Sequence, residues 1–513
     1  MEAEVGKKKT IIKNTLFLYL RQIITLIVSF YSARVVLDVV GVDDYGIYTV
    51  VAGVVILVAL VNNSMVEATQ RFLTYELGKS DMARVAQTFC MCMTIHIAIC
   101  LLVLLIGETI GLYYVVDYLV VPSGRENAAV WCYHISLLSV IFTIIRAPYT
   151  ASIIAYEKMS FYAYISIIDV VLKLLVLFLI QLLDFDKLIL YSVLILGTDL
   201  TITLLHKMYC QRMFTTCTYS LYMDVSYFKR LTSYLGWSLV GVSSTMGTQH
   251  IGNMIINRFV GVAFNAAYGT ANRISSAVNV FLTNFQVAFR PQIIKLYAQN
   301  ELDKMHSLMF QSALISFYLL FVLSAPVLVN IDYILGLWLV DVPPSTGDFC
   351  LWVFMCSFLD SLQAPFWMGI AATGKNRNYQ LWQSSLYFLN IPITYYLLAN
   401  GYQAYTIVLV RFIIGFIGSI IRTVHVNISI NVPIWKYVKE VLFFAFSVSL
   451  VSVPSMCFFR DRLCVDSLCR LFIFYVISVF FIIILIYTIG INKQYRQIIN
   501  AYCISQYHKY KKK

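Results

Sequence analysis

Residues 97–106 read Ile97-Ala98-Ile99-Cys100-Leu101-Leu102-Val103-Leu104-Leu105-Ile106, ten apolar residues without a charge. They sit inside a longer run, 86–113, whose one residue charged at pH 7 with histidine neutral is Glu108. A run of this length and poverty of charge predicts a bilayer-crossing helix, because about 20 residues rising 1.5 Å each cover a hydrocarbon core of about 30 Å. Lipid offers the backbone no hydrogen bonds, so the segment must satisfy its own, and a helix does that. The chain lacks the long alternating pattern that a membrane barrel needs.

Thirteen more runs of this kind are separated by polar breaks: 11–34, 46–66, 128–146, 161–183, 188–206, 234–257, 264–289, 307–330, 349–370, 378–399, 402–421, 437–458 and 470–490. The predicted fold class is therefore an all-α polytopic membrane protein with about 14 transmembrane helices. Composition agrees: 60% of the 513 residues are hydrophobic and 12% are charged, against about 25% charged in soluble domains. These values argue against a soluble enzyme, a disordered chain and a conventional nucleic-acid binder, and no nucleic-acid partner is expected. The first run is too long for a signal-peptide core and has no small-residue cleavage site, so it reads as a retained helix.

The 38 Lys and Arg residues are unevenly placed. Alternate loops on the side of the N-terminus hold 27, the opposite loops hold 7, and 4 lie within spans. This excess predicts a cytoplasmic N-terminal side. The basic C-terminal tail falls on the same side, which requires an even number of spans. Acidic residues divide 10, 12 and 4 in the same order, so the net charges are +17, −5 and zero. The +12 total is a topology signal, not a nucleic-acid footprint. The discordant loop is 459–469, which carries Arg460 and Arg462 on the sparse side.

Order and spacing recur along the chain. Gly41-Val42 is followed by Tyr45-Gly46, a span, Arg71 and a polar stretch to Asp81; Gly261-Val262 is followed by Tyr268-Gly269, a span, Arg290 and a polar stretch to Asp303. The offsets are 220, 223, 219 and 222 residues. Spans 1–6 and 7–12 thus read as two copies in the same orientation, related by an axis along the membrane normal. The expected organisation is a six-helix lobe over 1–206, a linker over 207–233, a second six-helix lobe over 234–430, and two added helices with a basic tail over 431–513. Two such bundles form a transporter architecture with a site near the midplane.

Ionisable groups in lipid are expensive, so they face a cavity or a partner. The basic ones are Arg21, Lys173, Arg273 and Arg411; the acidic ones are Glu108, Asp169, Asp199 and Asp360. Asp169 and Lys173 are one turn apart and can pair. In the eighth span Asn265, Asn272, Ser276, Asn279, Thr283, Gln286 and Arg290 follow steps of three and four apart from one double step, which makes one helical face. The first span carries Asn14, Arg21, Thr25, Ser29 and Ser32, and the seventh adds Gln249, Asn253 and Asn257. Polar residues of this kind can be interhelical hydrogen-bond glue, or they can line a water-filled cavity. The length of the stripe favours the cavity. Arginine there suits a phosphate, since its planar fork makes two charge-assisted bonds and stays charged. Arg21 and Arg273 are the first candidates for a diphosphate, with Arg34 and Arg258 as a second station. Arg411 reads equally well as structural.

Several patterns carry no chemistry. Gly369-Ile370-Ala371-Ala372-Thr373-Gly374-Lys375 matches most of a P-loop, but Asn376 stands where Ser or Thr should hold Mg²⁺, and the run follows a membrane helix. It reads as a basic helix–helix turn. The twelve cysteines include no paired CxxC units, so neither zinc nor redox work is expected; a disulfide among Cys457, Cys464 and Cys469 is unsupported. His96 and His134 read as hydrogen-bonded packing residues. No metal site, cofactor or catalytic constellation is indicated.

The stretches Val42-Asp43-Asp44-Tyr45-Gly46-Ile47-Tyr48, Thr69-Gln70-Arg71-Phe72-Leu73, Arg146-Ala147-Pro148-Tyr149 and Arg290-Pro291-Gln292-Ile293-Ile294-Lys295 resemble the polysaccharide-exporter branch of the multidrug/oligosaccharidyl-lipid/polysaccharide (MOP) superfamily, and within it Wzx-type O-antigen flippases. The likeness covers spans 1 to 12. It implies a MATE-like V-shaped cavity lined by spans 1, 2, 7 and 8, and alternating access driven by a proton or sodium gradient. It also implies a bacterial inner-membrane location, both termini cytoplasmic, and polysaccharide assembly proteins and membrane lipids as partners. The expected activity is transfer of an undecaprenyl-diphosphate-linked oligosaccharide, an O-antigen or capsule repeat unit, to the outer leaflet. Asp169, Asp199 or Asp360 would couple to the cation. A drug or metabolite exporter of the same fold is the alternative. A membrane polysaccharide polymerase or acyltransferase is a third reading; it would want a large outer loop or a clustered His/Asp site, and neither is visible.

Overall fold

The computed structural model describes residues 17–28, 31–32, 35–36, 39–117, 121–122, 124–222, 224–339, 341–463, 466–492 and 496. Among these it is helical throughout, with fourteen main segments. They are α1 (Phe17–Val28), α2 (Val42–Gly78), α3 (Met82–Asp117), α4 (Glu126–Ala155), α5 (Met159–Leu182), α6 (Lys187–Met213) and α7 (Val225–Phe259). The second half continues as α8 (Val262–Ala298), α9 (Leu302–Val329), α10 (Thr346–Thr373), α11 (Arg377–Ala399), α12 (Thr406–Ile430), α13 (Ile434–Leu463) and α14 (Leu468–Thr488). Each falls on one of the predicted spans. Nine of them are long and apolar enough to cross a membrane among the described residues, and the chain is a multi-pass membrane protein.

The helices outrun the apolar runs mainly on the basic side. α2 continues past residue 66 to Gly78, α4 past 146 to Ala155, and α8 past 289 to Ala298. Hydropathy ends where lipid ends, while the helix stops only where a turn stops it. Those turns repeat along the chain. Gly41 (φ 92) and Gly261 (φ 103) each precede a helix of 37 residues, α2 and α8. Ser80 and Asn300, Gly124 and Ser345, and Glu157 and Gly374 are further positive-φ residues at matching places. Glycine enters this left-handed region freely, whereas other residues need local support. Four such turns pair across the two halves in step with the motif spacing, while Gly401 and Asn431 have no positive-φ counterpart among the described residues of the first half.

Among the described residues, several contacts join helix ends on the same side. On the sparse side, Arg125 at the start of α4 reaches both carboxylate oxygens of Asp44, with Nε to Oδ1 at 2.8 Å, and pairs with Asp186 as well. Asp186 also caps α6, accepting from the Leu188 and Ile189 amides at 3.1 Å each. One guanidinium therefore ties the starts of α2, α4 and α6 together. Arg460, which charge counting left unexplained, donates to the Val329 carbonyl at the end of α9 (3.2 Å) and lies against Asp461. On the basic side, His306 Nε2 donates to the last carbonyl of α12, Ile430 (2.9 Å). Cys457 and Cys469 are free thiols, and Cys464 lies outside the described residues.

The chain divides into two compact units. The first comprises Met1–Ser243, Val287–Glu301 and Ala371–Gln380; the second comprises Ser244–Gln286, Leu302–Ile370 and Leu381–Lys513. Helices α7, α8, α10 and α11 thus belong to both, with their basic-side ends in the first unit. The core of the first unit is aliphatic and aromatic, centred on residues such as Phe89, Tyr149, Ala151 and Cys210. That of the second gathers Ile256, Ala267, Tyr268, Phe349 and Val408. α13 and α14 pack on α9, where Tyr475 donates to the Leu323 carbonyl (3.3 Å).

The Arg125 knot has a pH signature. Burial opposes both charges, but the hydrogen bonds between Arg125 and Asp186 outweigh it and hold the Asp186 carboxyl below its usual range. A depressed carboxylate contributes stability above the unfolded pKa, and that contribution is lost as pH falls through the folded value. Asp186→Asn should lower the thermal midpoint in detergent at pH 7 by an amount equivalent to roughly 1.5–3 kcal/mol. The wild-type and variant curves should converge below about pH 4.

Candidate functional site

Among the described residues, two clusters of polar side chains stand out on the helices, one in each unit. In the first, Arg146 of α4 stands 3.8 Å from Asp199 of α6. The other oxygen of Asp199 accepts from Ser139, one face of α4 thus supplying both partners. On α5, Lys173 and Asp169 pair at 3.0 Å, as their spacing predicts. His206 of α6 lies within electrostatic reach of Arg146 and Asp169 and donates its Nδ1 proton to the Ile202 carbonyl (2.8 Å). One nitrogen of Arg146 and one oxygen of Asp169 are buried without a hydrogen-bond partner. Such groups are costly in a low-dielectric setting, so this cluster has donor and acceptor capacity for a water.

In α1, Arg21 stacks over the Tyr162 ring of α5 at 5.0 Å, a favourable cation–π distance. Thr25, one turn on, keeps a buried hydroxyl. Arg34 lies outside the described residues.

In the second unit the eighth-span stripe divides. Asn279 donates to Ser275 (2.9 Å) and to Ser357 of α10 (3.0 Å), and Asn272 donates to the Tyr268 carbonyl (2.9 Å). These two serve packing between and within helices, the role that polar residues commonly take in membranes. Arg273, Ser276 and Thr283 instead point out of the unit and are exposed. On α7, Gln249, Asn257 and Arg258 are exposed and Asn253 is half-buried; the Arg258 guanidinium lies 5.9 Å from the Phe259 ring centre. The exposed set is a polar surface on α7 and α8, two helices outside the nine that are apolar enough to cross a membrane, and it carries two cations and no carboxylate.

Asp360 occupies a narrow crevice between α10, α11 and α12, with Cys356, Tyr387, Arg411 and Gly415 around it. The positive charges acting on it are Arg411 and Arg422. Asp360 and Arg411 therefore share one crevice, while Asp169 and Asp199 belong to the other cluster. Among the described residues no group of three or more His, Cys, Asp or Glu side chains forms a metal site. The P-loop-like run is the end of α10 and its turn, closed by Gly374 at φ 72.

No family model matches the chain, and no curated protein matches it by sequence. Solved structures do match. An outward-facing multidrug resistance MATE family transporter of the MOP superfamily superposes with a TM-score of 0.66, covering 83% of this chain and 96% of that one at 11% identity. A MATE structure in the straight conformation gives a TM-score of 0.69 with the same coverage and identity. A MOP superfamily transporter from Pyrococcus furiosus, described as having a binding pocket of reverse polarity that suggests a different function, gives 0.63, with 82% and 96% covered at 11% identity.

The chain has the MATE fold. Within this fold, Arg71, Arg146 and Arg290, which stand in the motifs that carried the family resemblance, and Arg125, which binds Asp44 of the first motif, are helix-end or interhelical clamps. Arg146 is the residue that counting missed. It stands at the edge of its apolar run and so reads as a loop cation, yet α4 continues nine residues beyond it to Ala155 and places it against Asp199. The one signal available was the Arg-Ala-Pro-Tyr stretch itself, since Pro148 inside α4 marks a helix that tertiary packing must hold.

The pair behaves as a unit. Removing one member leaves the other buried and unpaired, at roughly 3–5 kcal/mol. Arg146→Ala should therefore lower the detergent melting temperature strongly. Arg146→Ala combined with Asp199→Asn should recover a large part of the loss, because no charge is then stranded.

Proposed function

We propose that this protein is an alternating-access transporter that moves an undecaprenyl-diphosphate-linked oligosaccharide between bilayer leaflets. The observation that carries the reading is the exposed polar surface of α7 and α8. Arg273 and Arg258 present guanidinium groups suited to phosphate, beside the hydroxyls and amides of Ser276, Thr283, Gln249 and Asn257 suited to sugar. A cationic, hydroxyl-rich surface on a membrane helix fits an anionic, glycosylated headgroup while the lipid tail stays in the bilayer. Arg21, on the first copy, belongs to the same reading. Coupling falls to the buried carboxylates: Asp199 and Asp169 in one unit, or Asp360 in the other, taking up a proton or sodium ion. The charge distribution supports both termini in the cytoplasm; a bacterial inner-membrane location and polysaccharide assembly proteins as partners follow from the family resemblance alone.

A cation-coupled drug or metabolite exporter is the second reading, favoured by the multidrug transporter among the structural neighbours. The neighbour with reversed pocket polarity speaks for letting the pocket, not the fold, decide the substrate.

Purified protein in liposomes should relocate a fluorescent polyprenyl-diphosphate oligosaccharide without altering it chemically. Arg273→Ala should slow relocation on the order of 10- to 100-fold, the loss expected for one charge-assisted phosphate contact, while the melting temperature stays within a degree or two. Normal relocation in Arg21→Ala, Arg273→Ala and the double variant would sink the phosphate assignment. Relocation of lipophilic cations but not of the lipid-linked sugar would favour the exporter.

A further inference from the structure

The repeat and the basic-side contacts combine into a reciprocal fastening. α2 and α8 are equivalent helices, and the α4–α5 turn at Glu157 is equivalent to the α10–α11 turn at Gly374. Near the end of α2, Arg71 donates Nε to the Ala371 carbonyl (3.0 Å) and Nη2 to the Ala372 carbonyl (2.7 Å). Those carbonyls are among the last of α10, where a helix has unmatched acceptors and the negative end of its dipole. The rings of Phe72, Tyr75 and Tyr234 stand 4.5, 5.0 and 5.9 Å from the guanidinium carbon, and Arg71 is 6% exposed. A Cβ on Gly374 would stand 2.5 Å from the Arg71 Nη2, so the turn fits only as glycine. The first copy thus holds the turn of the second.

α8 does the converse. Gln292 and Lys295 both bind the carboxylate of Glu157, in the turn of the first copy. Glu157 sits at φ 60, a conformation that a non-glycine residue keeps only when its surroundings enforce it. The two halves meet where the equivalent helices end. A Cβ on Gly78, the last residue of α2, would lie 2.7 Å from that of Ala298, the last residue of α8. Glu67 and Arg290 add a bridge of 2.9 Å between the same helices.

We propose that this exchange is a two-part latch on the basic side, in which each repeat copy holds the other's turn, and that both halves must let go before that side opens. All its residues lie in the first compact unit, yet 287–301 and 371–380 continue into the second. Opening therefore detaches those segments from α2 and from the α4–α5 turn. The halves differ in chemistry: Arg71 grips uncharged carbonyls out of water, whereas Glu157 and Lys295 form a charge pair. Only the purpose of the latch rests on the transporter reading; its existence does not.

Thr74, one turn beyond Arg71 and fully buried, supplies the reporter. Thr74→Cys is labelled with a hydrophilic maleimide in purified, detergent-solubilised protein, and modification at position 74 is read by peptide mass spectrometry. Adding R71A or E157Q should speed labelling roughly tenfold, because a buried thiol reacts in proportion to the open population; R71A with E157Q should exceed either alone. E67R should also speed it, and E67R with R290E should bring it back. Should R71A aggregate, the Glu67 and Arg290 series decides, since Glu67 is half-exposed. Labelling at the parent rate in these variants, or no recovery in the charge swap, overturns the latch. The assay uses no substrate. Opened variants in a protein that moves no lipid-linked sugar would keep the latch and discard the transport reading, and the reverse result would do the opposite.

Discussion

Placing a charge near hydrocarbon demands a partner within reach, and this one constraint organises the molecule. A stranded ion in or beside lipid is worth several kcal/mol of destabilisation. The arginines of this chain answer it in different ways. Arg125 takes two carboxylates from two helix starts, Arg146 takes Asp199, Arg71 takes two backbone carbonyls inside a sleeve of rings, and Arg290 takes Glu67. Each pairing also fixes which helix ends stand together. The helices supply the apolar bulk, which is nearly interchangeable among them; the few charges supply the addresses.

Much of the fold was legible in the sequence for that reason. Apolar runs place the helices because lipid imposes length, and lysine and arginine place the loops because charge is excluded from the core. The repeat was legible because Gly41 and Gly261 mark turns that the backbone cannot make easily with another residue. What the sequence could not separate was direction on a helix face. Asn272, Ser276, Asn279 and Thr283 share one stripe, yet the two asparagines bond inward or back onto their own helix, while Ser276 and Thr283 face out. A polar residue has the same spacing whether it meets a neighbouring helix or a ligand. Arg146 failed differently: hydropathy locates the edge of lipid, and helix α4 runs past that edge.

The MATE fold does not choose a substrate. Neighbours at 11% identity share the helix arrangement over more than four-fifths of this chain, so the helix scaffold tolerates almost complete replacement of its side chains. On the proposed transport reading, chemistry falls to the handful of polar groups left over once the structural pairings are removed. In the first unit that leaves the unsatisfied oxygen of Asp169; in the second, the exposed faces of α7 and α8 and the Asp360 crevice.

The close approach of Gly78 and Ala298 bears on descent. If the two copies arose from one ancestral half acting as a pair, the same residue once faced itself at this point, and every substitution there was felt twice. A gap of 2.7 Å between Cβ positions would exclude two larger side chains facing each other but admits one alanine against one glycine. Fusing the halves into a single chain is what allows such an odd pair. On that descent, the glycine–alanine pair is a step that a symmetric dimer could not take.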